Sequence, residues 1–226
     1  MNRKLSLSAL KIIGAAAMLL DHTALILAGN GLSAAAYYIL RGIGRIAFPI
    51  FCFVLVEGFV HTRSLGKYIT RIGVLALISE IPYDLMVSGK PFDFTHNNIL
   101  FTFTIALIVL WLISKCEDRG VKGFLLIALI TTAGMAASWF IKSAYSWKCI
   151  MLAVFMYMSR SDRRFMYISG GIVLLIDCDI TDIPALSAFL PIHFYNGTKG
   201  KFPGYLFYIF YPVHMALLGI VRIFII

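Results

Sequence analysis

Asp21 and His22 stand side by side inside the apolar run 10–28, LKIIGAAAMLLDHTALILA. An imidazole titrates closest to neutrality of all unperturbed side chains. It can therefore take a proton from an amine or a hydroxyl and turn that group into a nucleophile. An adjacent carboxylate can hold the ring or stabilise its cation. The setting makes both groups expensive, since a charged side chain near mid-bilayer costs at least about 2.5 kcal/mol. Ionisable residues in such a place mark function by default. The plainer alternative is a polar knot that joins helices. Neighbours on a helix point about 100° apart, so Asp21 need not face His22, and its partner can be an arginine.

Further ionisable residues lie in or beside other apolar runs. Arg41 and Arg45 are one helical turn apart and share a face. Glu80 and Asp84 flank Pro82 at the same spacing, as do Glu57 and His61. His96, Asn97 and Asn98 open a later run, and His214 follows Pro212 near the middle of the last. Two arginines could balance Asp21, Glu80 and Asp84, because buried charges need partners. Each has a structural alternative. Glu57 and His61 can be interfacial, Arg41 and Arg45 anchors or counter-ions, and Asn97 and Asn98 helix caps. His214 can use hydrogen bonds freed by the proline, and His193, near a basic loop, reads as unremarkable.

These residues have to be positioned by membrane helices. The chain has 226 residues, 60% of them hydrophobic and 14% charged, with mean hydropathy +0.87. Soluble domains carry about 25% charged residues. Apolar runs fall near 10–28, 43–60, 69–87, 98–114, 122–141, 147–158, 165–180, 184–195 and 204–226. None shows the alternation of a barrel strand. The expected fold is all-α: one polytopic integral membrane helical bundle spanning 1–226, with about 8–9 transmembrane helices. The sixth and eighth runs are short, and Pro184 and Pro191 suggest that the eighth is re-entrant or partial.

The net charge of +9 could suggest nucleic acid, but its distribution argues otherwise. Fourteen of the 20 Lys and Arg residues fall in alternate loops, including Arg3 at the N-terminus and Arg119 after the fourth run. Such alternation is a topology signal, and it puts the N-terminus in the cytoplasm. Asp177, Asp179 and Asp182 then lie outside, and Asp21, His22, Glu80 and Asp84 fall in the outer halves of their spans. The first run is too long for a cleaved leader and reads as an anchor that stays. The four cysteines are scattered, with neither a CxxC pair nor metal-ligand spacing. A nucleophile elbow, a P-loop, HExxH and a dinucleotide fingerprint are absent. A histidine base acting on an amine or hydroxyl acceptor is the leading catalytic option. Spacing alone does not choose the reaction.

Five stretches carry a resemblance: LKIIGAAAMLLDH (10–22), RGIGRIAFPIFCFVLVEGFVHTRS (41–64), ISEIPYDL (78–85), NNILFTFTIAL (97–107) and FYNGTKGK with LFYIFYPVH (194–214). In these the chain resembles the TraX family, while about 115–190 matches mainly in hydropathy. The resemblance implies a bacterial inner-membrane protein related to the one that acetylates the N-terminus of conjugative pilin. The family is similar to wider multi-span acyltransferases that take acyl-CoA from the cytoplasm and use a histidine of an early span as base. The matching position is His22, with Asp21 beside it. Acetyl-CoA as donor, and a pilin or envelope molecule as acceptor, are implied by the resemblance alone. So are Arg41, Arg45, Glu57 and His61 as residues near the cofactor.

The leading expectation is a membrane acetyltransferase with His22 as base and Asp21 as its electrostatic support. Glu80, Asp84, His96, Asn97 and His214 would line the cavity, and no metal is required. A small proton-coupled transporter would also hold acids and histidines in a bundle. The polar residues gather in the first half without a visible repeat, which counts against it. A non-catalytic assembly factor of a pilus or secretion system is the other rival.

Overall fold

The computed structural model describes residues 4–116 and 120–224. Arg3 and Arg119, both part of the charge pattern, lie outside the described residues. The helices are α1 (Leu7–Leu27), α2 (Ala34–Gly44), α3 (Ala47–His61), α4 (Leu65–Ser88) and α5 (Ile99–Ser114). They continue with α6 (Val121–Phe140), α7 (Ser146–Met158), α8 (Arg163–Leu175), α9 (Phe189–His193) and α10 (Tyr205–Phe224), and a 3-10 turn, Ile183–Ala188, precedes α9. Among the described residues there is no strand, only isolated bridges at Leu5–Tyr195 and Asn97–Ser143.

Among the described residues, four helical stretches are long and apolar enough to cross a membrane: Leu7–Leu27, Ala34–His61, Val121–Phe140 and Tyr205–Phe224. This is fewer than the eight or nine spans read from hydropathy. The remaining runs are helical too, but α5 has 16 residues and α7 has 13. At 1.5 Å per residue they fall short of a hydrocarbon core of about 30 Å. The 24-residue α4 is long enough but carries Lys67, Arg71, Glu80 and Asp84. The second run also begins earlier than its hydropathy suggested. Residues 34–44 already form α2, capped by the Ser33 hydroxyl, and the stretch breaks at Arg45–Ile46 before α3.

The chain forms two compact units interleaved in sequence. The first comprises Met1–Val54, Ser79–Phe92 and Leu174–Ile226. Here α1 packs on α2 and α10. Close approach is bought with small residues: a Cβ on Gly14 would lie 3.0 Å from the Phe51 ring, and one on Gly42 would lie 3.3 Å from Pro184. The start of α1 is tied to the segment 194–200. Leu7 N–H donates to the Thr198 carbonyl (2.8 Å), Ser8 N–H to that of Lys199 (3.0 Å), and Asn196 N–H to that of Leu5 (2.9 Å). Gly200 has φ +80° and would drive a Cβ into Ser6, so glycine is needed there for both backbone and space. At the far end of α10, Arg222 Nη1 donates to the Met86 (3.1 Å) and Val87 (2.7 Å) carbonyls in the last turn of α4. It thereby serves groups that a helix end leaves unpaired.

The second unit comprises Leu55–Ile78 and Asp93–Val173, with α5, α6 and α7 packed on one another. Gly134 of α6 leaves room for Val109 of α5. The α6–α7 turn is strained, with positive φ at Lys142, Tyr145 and Ser146. Neighbouring polar groups hold it in place. Asn97 pairs through its backbone with Lys142 and Ala144 and donates its amide to the Ile141 carbonyl (2.5 Å). The Thr102 hydroxyl, within reach of Ser143 Oγ (2.8 Å), also bonds the Ala144 carbonyl (2.7 Å).

Fully buried Asn98 caps α5 by accepting from Leu100 N–H (2.9 Å) and donates to the Ala76 carbonyl of α4 (2.9 Å). Replacing it with alanine should remove a cap and a buried cross-helix bond, a loss of about 2 kcal/mol. The thermal unfolding midpoint of the detergent-purified protein should fall for Asn98→Ala. Asn98→Ser, which keeps a capping oxygen but not the donated bond, should lie between it and the native chain.

Candidate functional site

The site is built in the first unit from α1, α2, α10 and the segment before the 3-10 turn. Asp21 and His22 occupy the fifth turn of α1. Asp21 is buried, and its carboxylate accepts from Arg41 Nη1 at 2.7 Å, an ion pair in which both side chains are about seven-eighths covered. The partner of Asp21 is thus an arginine rather than the neighbouring imidazole. Gly44 makes the approach possible, because a Cβ there would collide with the Cβ and carboxylate of Asp21.

Arg45 follows at the C-cap of α2, its N–H bonded to the Arg41 carbonyl. Its guanidinium Nε lies 3.0 Å from Asp182 Oδ1. Asp182 sits just before the 3-10 turn, with Pro184 packed against Gly42. The charge pattern puts Asp182 among the acids outside the membrane, and nothing in local spacing links it to a residue 137 positions earlier. Asp21, Arg41, Arg45 and Asp182 interact electrostatically as one set, and both arginines also act on His22.

His22 turns to α10 instead. Its Nδ1 lies 3.0 Å from His214 Nε2. The rings are coplanar within 1°, with centroids 5.2 Å apart. That separation is what one hydrogen bond and two ring radii give, so the imidazoles meet edge to edge in one plane rather than face to face. His214 is buried, its Nδ1 is 2.8 Å from the Phe210 carbonyl, and its ring stacks on Phe210 at 4.5 Å.

These partners fix the tautomers. A carbonyl only accepts, so His214 carries its proton on Nδ1, and its neutral Nε2 is an acceptor. His22 must then donate from Nδ1, which leaves its Nε2 bare. His22 Nε2 is therefore the basic atom of the pair, in a half-buried residue. His214 does not use the carbonyl that Pro212 frees, which is that of Tyr208; it bonds Phe210, one turn below itself.

The other candidates are distributed differently. Asp84 is buried and Glu80 half-buried in α4, within the first unit. His96, Asn97 and Asn98 belong to the second unit, where His96 is exposed and the two asparagines make the bonds described above. Glu57 and His61 also lie in the second unit. His61 is exposed, its Nδ1 is 2.9 Å from the Glu57 carbonyl, and it is 3.7 Å from the Glu57 carboxylate. His193 is half-buried, edge-on to Phe194. Among the described residues no group of three or more His, Cys, Asp or Glu could hold a metal ion.

Membrane-length apolar helices around a buried ion pair and a histidine pair define a helical membrane protein with a polar site inside its helical packing. The TraX protein family model matches residues 6–222, and the chain belongs to that family. It is 34% identical, over 99% of both chains, to a protein of Dichelobacter nodosus described as "Probable fimbrial assembly protein FimC, serogroup H1". No solved structure matches the chain.

The Arg41–Asp21 contact predicts a strong coupling. Arg41→Ala leaves a buried carboxylate without its cation and should cost about 3 kcal/mol. Asp21→Asn in the same chain should recover much of that loss. A double-mutant cycle on unfolding in detergent would measure it, and additive losses would contradict the pairing.

Proposed function

We propose that this protein is a multi-pass protein of the bacterial inner membrane, with its N-terminus in the cytoplasm, and that it acetylates a pilus subunit or another envelope molecule. The observation that carries the reading is the bare Nε2 of His22, held in that state by His214. Such an atom can accept the proton of an attacking amine or hydroxyl as that group adds to an acyl carbonyl. The resulting imidazolium keeps its Nδ1–H bond to His214 Nε2. The new C–N or C–O bond forms as the bond to the donor's sulfur breaks, and the imidazolium gives its Nε2 proton to the departing thiolate, which leaves as the thiol and restores the base. Acetyl-CoA, named through the family resemblance, is the donor in this reading.

Arg41 and Arg45 beside His22 supply positive potential where negative charge develops on the carbonyl oxygen. Asp21 serves the site indirectly, by holding Arg41. The fimbrial description of the relative supports a pilus-linked acceptor. An assembly role without chemistry is the second reading, favoured by the same description. It gives no account of two coplanar imidazoles with fixed tautomers inside apolar helices.

Reconstituted protein should transfer label from acetyl-CoA to a peptide bearing a free N-terminus or to an envelope extract. His22→Ala should lower that rate by about 10²–10⁴-fold with folding retained. His214→Gln, whose amide oxygen can still accept from His22 Nδ1, should keep more activity than His214→Ala. Transfer that is unchanged in His22→Ala would remove His22 as base. Absence of transfer to every acceptor tried, with pilus assembly still dependent on the protein, would favour the assembly role.

A further inference from the structure

A concavity of about 700 Å³ opens at the α3–α4 junction, lined by Thr62, Arg63, Ser64, Gly66, Lys67, Thr70 and Arg71. Its lining contains three cations and three hydroxyls, with no acid and no large apolar side chain. The topological role of basic loops accounts for the charges but not for their arrangement. The basic loop at Arg160–Arg164 is different. There Arg160 lies over the Tyr157 ring, and the Asp162 carboxylate caps α8 through the Arg164 and Phe165 N–H groups.

The α3–α4 junction has no such acid. Lys67 and Arg71 are like charges four residues apart on one helix face, an arrangement that destabilises a helix unless a counter-ion screens it. Ser6, Ser33 and Asn98 cap α1, α2 and α5. At the start of α4, the Tyr68 N–H donates to the Ser64 carbonyl (3.1 Å). Thr62 Oγ1 bonds within its own loop, to Ser64. A Cβ on Gly66, in that first turn, would meet nothing within 4 Å. The space beside the first turn of α4 is open at that point, and a helix start favours an anion. Glu57, one turn from the end of α3, is engaged with His61.

We propose that this groove binds a phosphate-bearing group, held by Lys67, Arg71 and Arg63 with the hydroxyls and the first N–H groups of α4. Clustered cations, hydroxyl donors and an open helix start together match tetrahedral oxyanions. The site does not depend on the acetyl-transfer reading. The phosphate can come from a soluble pyrophosphate or nucleotide, or from the headgroup of an anionic lipid.

The test uses the full-length protein in detergent. Binding of inorganic pyrophosphate and of ADP is measured by calorimetry, and native mass spectrometry compares retention of phosphatidylglycerol with that of phosphatidylcholine. Lys67→Gln/Arg71→Gln should weaken binding about tenfold or more, as lost charge-assisted bonds predict. Arg163→Gln/Arg164→Gln, with the same change in net charge, should leave it unaltered. Arg63→Gln, outside the helix, is the second variant should the first not fold. Saturable pyrophosphate or ADP binding that is lost in the groove variants identifies a soluble ligand. Selective phosphatidylglycerol retention that is lost in them identifies a lipid. Equal effects of the groove and Arg163/Arg164 variants would overturn the proposal, as would failure of both probes to bind.

Discussion

A carboxylate inside an apolar helix has to meet a cation, and much of the first unit is arranged around that requirement. Asp21 of α1 meets Arg41 of α2 at 2.7 Å, across the place where Gly44 has no side chain. The requirement fixes how closely α1 and α2 approach and which faces they present. It also bears on the break at Arg45–Ile46, where α2 ends and Arg45 reaches Asp182. That second ion pair, with Pro184 against Gly42, brings the 3-10 turn to α2. Removing charge from water costs several kcal/mol per ion, so these groups are tolerable only as a balanced set.

The ion pair frees His22 for a different partner. Were Asp21 bound to His22, the imidazole would be held as a cation or its tautomer set by the acid. With Asp21 committed to Arg41, the tautomer is set by α10 through a chain that starts at the Phe210 carbonyl. Each link has one allowed polarity, and the chain ends at His22 Nε2. A fixed acceptor is what a general base requires, and preorganisation of this kind costs nothing at the moment of reaction.

Several rare polar features of the sequence hold the backbone in place. FYNGTKGK pairs with the start of α1, and its Gly200 is needed where the chain passes Ser6. Asn97 and Asn98 hold the strained α6–α7 turn and cap α5. Arg222 near the end of α10 binds the end of α4. Rare polar residues in an apolar chain mark either chemistry or the satisfaction of backbone groups, and both roles select the same residue types.

The sequence by itself determined an all-helical chain with apolar helices of membrane length, because hydropathy and the lack of alternation are local properties. It also determined that Asp21, His22, Arg41, Arg45 and His214 needed explanation, because isolated ionisable groups in apolar runs are costly wherever they fold. Length and charge limited how far this went: α5 and α7 are too short to cross alone, and α4 carries four charges. Only the tertiary structure decided the pairings. His22 and His214 are 192 positions apart, and Arg45 and Asp182 are 137 apart. Which acid meets which arginine, and which nitrogen of His22 stays bare, follow from helix packing that no local spacing encodes.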